Sequence, residues 1–386
     1  MIELLDGYDG SAAARQRVQR GLEAARLPDA RGDGEQVARA EAEVAADPRR
    51  AIRVDDRGEA TVYAAGRAYG GGRFETPTIG AIRARALDAR AAAGRPDARL
   101  SLFVLDGRSP LTDIGALQAS APPRSLFQVA SQFNCLESPG AFVTPVARYF
   151  HDPTQGPRAS ISAFPGTLVR HYAAPAPGGG RFVQTDGGPQ LDLLADVCEP
   201  GVAAVHSGYL RAGSIGDAPA FARALEDRFD AIRVGLHAGV EVVLGADWTG
   251  AVDGAGHRTI AQALTSTVAG GMYGGLDDAD RALATIVRQL QRAAYLGTIV
   301  GAAALGCDRV VLTLIGGGVF ANPIEAIWNA IVWAADQARP ALHRDLRVIV
   351  NGRELGAQIA PRVLRTAAIE RGGAMITLDR GGVTID

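Results

Sequence analysis

The stretch RVVLTLIGGGVFANP, residues Arg309–Pro323, decides the fold. Arg309–Ile315 is a continuous apolar run, which is typical of a strand covered on both faces of a parallel sheet. Three glycines end the run, and an Asn-Pro pair leads into the apolar segment Ile324–Ala335, which we predict to be a helix. Glycines allow a close approach of the backbone to an anion, and free amides at a helix N-terminus attract phosphate. The pattern therefore predicts a phosphate-binding loop; the alternative is a tight strand-to-helix turn that needs glycine only for its positive φ.

The rest of the chain repeats this alternation of buried strands and helices. A long helix is predicted from Asp280 to Leu305, broken near Gly297 or Gly301. Residues 139–190 are rich in Gly and Pro, so we predict an irregular but ordered binding region, with a helix from about Thr167. Further strands are predicted at Leu102–Leu105, Leu126–Ala130, Val240–Leu244, Ile260–Val268 and Leu346–Val350. Such alternation predicts an α/β fold with helices on both faces of the sheet.

Length and composition set the domain organisation. The chain has 386 residues, of which 47% are apolar and 21% charged, as in ordinary globular proteins. Residues 11–50 are rich in Ala, Arg and Glu, which predicts one or two surface helices, and residues 1–60 are therefore predicted to be a helical N-terminal extension. Residues 61–386 then form one α/β domain, since no linker or internal repeat divides them.

Charge, cysteine content and hydropathy exclude several classes of function. The net charge is −2 and all 40 basic residues are Arg, so a general nucleic-acid partner is not expected. The three cysteines are widely spaced and fit neither a disulfide framework nor a zinc site, and we expect no metal or cofactor. No secretion signal or membrane span is recognisable, which predicts a cytoplasmic protein, with secretion by a signal-less route left open.

Three other segments carry polar residues suited to a ligand site. The stretch LFQVASQFNCLE, Leu126–Glu137, is a strand followed by Asn134, which could orient a ribose or a water; the alternative is a strand-end turn residue. The segment His151–Ala163 joins Asp152 to small residues that could wrap a ligand, or it is an irregular surface loop. Asp113, soon after the first strand, could accept a hydrogen bond from an adenine amino group, or it is a solvated loop residue.

The order of these segments resembles the macrodomain plan. More closely, LFQVASQFNCLE, DPTQGPRASISAFPGTLVRHY, IAQALTSTVAGGMYGG and VVLTLIGGGVFANP are similar to the divergent macrodomains of the MavL-type ubiquitin ADP-ribosyl hydrolases. GRFETPTIGAIR resembles that group too, and the pieces extend from about residue 73 to 352. The Asn-Ala-Ala-Asn run of ordinary macrodomains is replaced here by Ser131–Asn134. The resemblance implies a macrodomain-like three-layer α/β/α sandwich that follows the helical extension.

The resemblance also implies a ligand, a reaction and roles for particular residues. The ligand is ADP-ribose, and the reaction is its removal from an ADP-ribosylated protein, arginine-linked, with ubiquitin as a candidate substrate. Asp113 and Ile114 would hold the adenine, and Asn134 would lie at the distal ribose. The ligand-binding residues implied in the other loops are Phe133, Thr154, Gln155, Gly156, Pro157, Gly316, Gly317, Gly318, Val319, Phe320 and Asn322.

Hydrolysis at the anomeric carbon requires a carboxylate, and two are available. Asp152 is the first candidate to activate water, Glu137 is the second, and Asn134 orients the ribose. Two other functions stay open at this point. A non-catalytic ADP-ribose reader would keep the glycine loop and lack a competent acid or base, and a Rossmann-like NAD enzyme would need a glycine fingerprint that this late loop does not have.

Overall fold

The computed structural model describes residues 1–26, 34–95, 97–140, 142–245, 258–275, 280–379 and 382–386. Its helices are α1 Ala12–Ala24, α2 Gly34–Ala46, α3 Pro48–Ala51, α4 Ile79–Ala93, α5 Ile114–Ala119, α6 Gln155–Ser162, α7 Phe164–Tyr172, α8 Ala218–Asp227, α9 Arg281–Ala304, α10 Ile324–Ala338, α11 Leu355–Gln358 and α12 Pro361–Glu370. Its strands are β1 Ile52–Val54, β2 Glu59–Ala64, β3 Arg67–Glu75, β4 Leu100–Asp106, β5 Ser125–Ala130, β6 Ala174–Pro175, β7 Arg181–Phe182, β8 Leu210–Arg211, β9 Gly235–Glu241, β10 Thr259–Thr265, β11 Val268–Ala269, β12 Arg309–Leu312, β13 Leu346–Arg353, β14 Met375–Asp379 and β15 Gly382–Ile385.

Eleven of the described strands form one mixed sheet in the order β1-β2-β3-β9-β10-β5-β12-β13-β4-β14-β15. The six central strands from β10 to β14 run parallel, and antiparallel strands flank them on both sides. The central strands are buried almost throughout, as sheets covered on both faces require. The boundary predicted at residue 60 falls inside β2, which is hydrogen-bonded into this sheet.

Two helical layers cover the sheet. Helix α9 packs on β5, β10 and β12, and α4, α8 and α10 pack against α9 in the same layer. Helix α6 contacts β5 and lies with α5, α7 and α2 in the other layer. The predicted three-layer α/β/α class is therefore confirmed.

Several predicted elements differ in detail from those observed. Residues 139–190 are not irregular throughout, because α6 and α7 occupy their middle, and the helix predicted from Thr167 begins at Phe164. The strand predicted at Val240–Leu244 overlaps only the end of β9, which begins at Gly235 and ends at Glu241.

Helix α9 continues unbroken through both glycines at which we predicted a kink. A Cβ on Gly297 would lie 2.4 Å from Val234 Cγ2, and one on Gly301 would lie 2.9 Å from Leu236 Cδ2. These glycines therefore allow α9 to lie close against the residues that lead into and form β9, and they do not interrupt the helix.

Candidate functional site

The candidate site lies where the parallel strands β5 and β12 end side by side. The two strands are paired in register, Leu126 opposite Val310. From β12 the chain continues to its neighbour β13, whereas from β5 it goes on to β9 and β10 on the other side. Ligands of open α/β sheets bind in the crevice at such a switch point, beyond the carboxyl ends of the strands. The loops 131–138 and 313–323 both begin there.

Asn134, in the loop after β5, is fully buried and bonded within the protein. Its side-chain oxygen accepts a hydrogen bond from the Leu136 amide at 3.0 Å, and its side-chain nitrogen donates to Gln190 Oε1 at 3.0 Å. The neighbouring Phe133 is also buried, and its amide donates to the Gly208 carbonyl at 2.8 Å. In this geometry Asn134 fixes the shape of the loop.

Glu137 and Asp152 form a pair of interacting carboxyl groups. Glu137 is 8% exposed, and its Oε1 has no hydrogen-bond partner among the described residues. Burial, and then the charge of Asp152, raise the pKa of Glu137 well above its ordinary value, while Arg170 acts in the opposite direction. Asp152 is half-buried, and its Oδ1 accepts a hydrogen bond from the Thr154 amide at 2.9 Å. The two carboxyl groups that the sequence offered as alternatives therefore interact electrostatically.

Helix α6 begins directly against Glu137. A Cβ on Gly156 would lie 2.2 Å from the Ala130 carbonyl oxygen and 2.5 Å from Glu137 Oε2, so only glycine fits there. Thr154 is the N-cap residue of α6, Pro157 is buried, and the buried Oε1 of Gln155 has no hydrogen-bond partner in the part of the chain that is described. The Asp152 segment is therefore a helix start packed on the end of β5.

A buried guanidinium, which the sequence analysis missed, lies beneath the Glu137 loop. Arg170 is fully buried; its Nε donates to the Cys135 carbonyl at 3.1 Å and its Nη1 to Gln262 Oε1 at 3.1 Å. Cys135 has a φ of 62°, an unfavourable conformation that this contact helps to hold. Burial lowers the pKa of Arg170 to about 10, so the side chain stays charged at neutral pH. No local motif marks Arg170, because the groups that bury and hold it, Cys135 and Gln262, lie 35 and 92 positions away in the sequence.

The glycine loop after β12 is open to solvent at its tip. Gly316 has a φ of 77°, and its carbonyl accepts a hydrogen bond from the Asn322 amide at 2.9 Å. Asn322 is buried, and its Nδ2 donates to the Val268 carbonyl at 2.9 Å. Gly317 is half-buried, Gly318 is exposed and Val319 is 39% exposed. Helix α10 then begins at Ile324 without a side-chain cap, so its first amides are available to an anion.

An aromatic cluster, made of Tyr209, Tyr273 and Phe320, joins the two loops. The rings of Tyr209 and Tyr273 stack with centroids 4.8 Å apart, and Phe320 of the glycine loop meets Tyr273 edge-on at 5.5 Å. The Tyr209 hydroxyl donates to the Ser138 carbonyl at 3.0 Å, beside Glu137. Of these three residues, only Phe320 is expected from the sequence to bind the ligand, because nothing in the sequence shows that the two tyrosines contact it.

One arginine lies beside this aromatic cluster. The guanidinium carbon of Arg211 is 5.5 Å from the ring centroid of Tyr209 and 5.7 Å from that of Tyr273. Its Nε is buried and has no hydrogen-bond partner among the described residues. The cluster therefore places a cation close to the glycine loop.

Asp113 and Ile114 lie farther along the sheet, after β4. Asp113 is buried; its Oδ1 accepts hydrogen bonds from the Gly115 and Ala116 amides at the start of α5, and its Oδ2 pairs with Arg158 of α6. It is therefore not a solvated loop residue. Ile114 is fully buried. The ion pair ties the start of α5 to α6, the helix that follows Asp152.

The described ranges contain no candidate metal site and no candidate membrane-spanning helix. Within them, no group of three His, Cys, Asp or Glu side chains is placed to hold a metal ion. None of the helices in that part of the chain is long and apolar enough to cross a membrane.

No family model and no curated protein matches this sequence. Among solved structures, the chain is similar to poly(ADP-ribose) glycohydrolase from Deinococcus radiodurans in complex with ADP-ribose, with 11% identity, a TM-score of 0.38 and coverage of 72% of this chain and 87% of that one. The apo form of the same enzyme gives 12% identity, a TM-score of 0.41 and coverage of 76% and 93%. The enzyme from Thermomonospora curvata gives 14% identity, a TM-score of 0.39 and coverage of 88% and 99%. Likeness at this level does not assign roles to individual residues.

Proposed function

We propose that this protein is an ADP-ribosyl hydrolase, which cleaves the bond between the anomeric carbon of ADP-ribose and a modified protein. The observation that carries the proposal is the pairing of Glu137 with Asp152 at the switch point, next to an open glycine loop. One carboxyl group with a raised pKa beside a second carboxylate is the arrangement by which two acids divide the tasks of proton donor and base.

The glycine loop and the aromatic cluster would hold the ADP-ribose. The amides of Gly316–Val319 and the start of α10 would neutralise the diphosphate, with Arg211 as the nearby cation. Phe320 would lie against the distal ribose. The adenine would lie toward β4, where Asp113 still has acceptor capacity, because a carboxylate offers about four lone-pair sites.

In the proposed reaction, water attacks the anomeric carbon while the bond to the leaving group breaks. Asp152 accepts a proton from the attacking water, and Glu137 gives its proton to the leaving atom. Burial favours the protonated form of Glu137, which is the form that this task requires. The products are free ADP-ribose and the unmodified side chain.

The finer proposal concerns the substrate. The resemblance of four sequence segments to MavL-type hydrolases favours arginine-linked ADP-ribose, with ubiquitin as the first protein to test. For an arginine substrate, the leaving atom is a guanidine nitrogen, and protonation by Glu137 converts it to a stable cation.

The test measures binding and turnover separately on the purified full chain. Calorimetric titration with ADP-ribose, AMP and NAD gives affinity, and release of ADP-ribose from arginine-modified ubiquitin gives the rate. We expect Asp152→Asn and Glu137→Gln each to lower kcat by about 10²–10⁴-fold, the usual contribution of a general acid or base, with little change in ADP-ribose affinity. Asp230→Asn is the matched control, because Asp230 is an exposed carboxylate that pairs with Arg83 of α4 at 3.0 Å.

A reader of ADP-ribose is the second candidate function. The observation that favours it is Asn134, whose side-chain oxygen and nitrogen are both already bonded within the protein. Tight binding of ADP-ribose by the wild type and both carboxyl variants, with no turnover by any of them, would support the reader. Preference for NAD would contradict both functions.

A further inference from the structure

We infer that helix α2, in the N-terminal part of the chain, belongs to the catalytic scaffold, and that its Glu41 is a positioning residue for Asp152 and Glu137. The inference rests on the proposed function for its catalytic meaning, whereas the contacts themselves do not depend on it. Nothing in the sequence alone assigns a functional role to residues 1–60.

Glu41 caps a short helix in another part of the chain. It is 5% exposed, although it is a carboxylate on a helix that the sequence predicts to lie at the surface. Its Oε1 accepts hydrogen bonds from the Val146 amide at 2.5 Å and from the Tyr172 hydroxyl at 2.8 Å, and its Oε2 accepts one from the Ala147 amide at 2.8 Å. These amides open the 3₁₀ helix Val146–His151, whose own N-cap residue, Pro145, provides no side-chain bond. Glu41 therefore supplies the cap that the local sequence lacks.

One residue of the capped helix, Tyr149, is hydrogen-bonded to the backbone amides of both Asp152 and Glu137. Asp152 follows its last residue, and the Asp152 amide donates to the Tyr149 carbonyl at 3.1 Å. The Tyr149 side chain is fully buried, and its hydroxyl accepts a hydrogen bond from the Glu137 amide at 3.0 Å. A shift of this helix would therefore move the backbone of Asp152 and of Glu137 together.

The geometry predicts that loss of the cap displaces Glu137 and Asp152 but leaves the glycine loop in place. The glycine loop is anchored elsewhere, by Asn322 to Val268. Removing the Glu41 carboxylate leaves the buried Val146 amide, the half-buried Ala147 amide and the Tyr172 hydroxyl without their partner, so the start of the short helix should loosen. The effect should fall on kcat and not on ADP-ribose affinity.

Glu43 offers a matched control on the same helix. Its Oε2 also accepts a backbone hydrogen bond, from the Ala65 amide at 2.9 Å, but Ala65 is in the turn between β2 and β3. Glu43→Ala therefore removes a similar contact of α2 with no connection to Asp152. It controls for a general weakening of the helix.

The experiment compares Glu41→Ala, Glu41→Gln and Glu43→Ala in the full chain. We expect Glu41→Ala to lower kcat by about 10- to 100-fold, as small misplacements of catalytic groups do, with the Kd for ADP-ribose within about twofold of wild type. Glu41→Gln keeps one acceptor oxygen, so its kcat should lie between that of Glu41→Ala and that of the wild type. Glu43→Ala should retain the wild-type kcat. Equal losses in Glu41→Ala and Glu43→Ala, or an unchanged kcat in Glu41→Ala, would overturn the positioning role.

Amide hydrogen exchange separates this inference from the proposed function. Exchange at Val146, Ala147, Asp152 and the Glu137 amide should become faster in Glu41→Ala than in Glu43→Ala, whatever the enzyme's substrate. If the wild type does not release ADP-ribose but this exchange pattern is found, the proposed function fails and the scaffold stands. If exchange at these amides is unchanged, the scaffold itself is refuted.

Discussion

Adding one methyl group at Gly316 tests whether the glycine loop is built around a strained backbone. Gly316 has a φ of 77°, and a Cβ there would lie 2.5 Å from Thr267 Cγ2 and 2.8 Å from Asn322 Nδ2. A non-glycine residue in the left-handed region costs about 1–2 kcal/mol, and overpacking a buried site costs about 1–3 kcal/mol more. We therefore expect Gly316→Ala to lower the free energy of unfolding by about 2–5 kcal/mol.

The control lies two residues along the same loop. A Cβ on Gly318 would meet no atom of the structure within 4 Å, and its φ is not positive. Gly318→Ala should change stability by no more than about 0.5 kcal/mol, as exposed substitutions usually do. Urea unfolding of wild type and both variants, followed by tryptophan fluorescence, gives the three free energies. Equal stability of the two variants would refute the account of the loop as one that only glycine at position 316 can form.

Three further predictions concern the charged groups of the site. The stability of Glu137→Gln relative to wild type should rise by about 1.4 kcal/mol per pH unit between the ordinary carboxyl pKa and the raised pKa of Glu137 in the folded protein, because in that window the folded protein holds a proton on Glu137 that the unfolded chain has released. Above the raised pKa the difference should level off; urea unfolding at several pH values measures this, and a difference that is constant throughout would contradict it. Arg211→Ala should weaken ADP-ribose binding by about tenfold, equivalent to about 1.4 kcal/mol, without lowering the melting temperature, and calorimetry with thermal unfolding tests both halves. Arg170→Met should lower the free energy of unfolding by about 2–6 kcal/mol, because the Cys135 carbonyl and Gln262 lose a buried donor and each unsatisfied buried acceptor costs about 1–3 kcal/mol; a loss below about 1 kcal/mol in urea, on the scale of an ordinary surface substitution, would show that water replaces the guanidinium.

The parallel half of the fold could be predicted from the sequence because its signal is local. A short, largely apolar run such as Leu126–Ala130 is typical of a strand in a covered sheet, and the structure has β5 there. The glycines of α9 misled the prediction for the opposite reason. Gly297 is explained by its contact with Val234, some sixty positions earlier, and no local pattern distinguishes such a packing glycine from a helix breaker.

The residues of the candidate site also differ in how far the sequence alone could indicate them. Asp152 and Glu137 can be proposed from the sequence because each follows a strand or loop signal, but their interaction depends on the way α6 packs on the end of β5. Arg170 and Glu41 were missed because each is an ordinary charged residue on a helix, and only the tertiary structure shows that it is buried. A polar residue that supports a site from a distance can be identified from its tertiary contacts, but not from its neighbours in the sequence.

Burial is the largest influence on the pKa of Glu137, and it favours the protonated form of the side chain. The charge of Arg170 and the start of α6 both favour the ionised carboxylate. Loss of solvation opposes them and is the largest influence, and the charge of Asp152 acts in the same direction. A bound ADP-ribose that covers the crevice would remove more water from Glu137 and so raise its pKa further. Substrate binding would then strengthen the division of roles on which the proposed hydrolysis depends, with a neutral acid facing the leaving group and a carboxylate facing the attacking water.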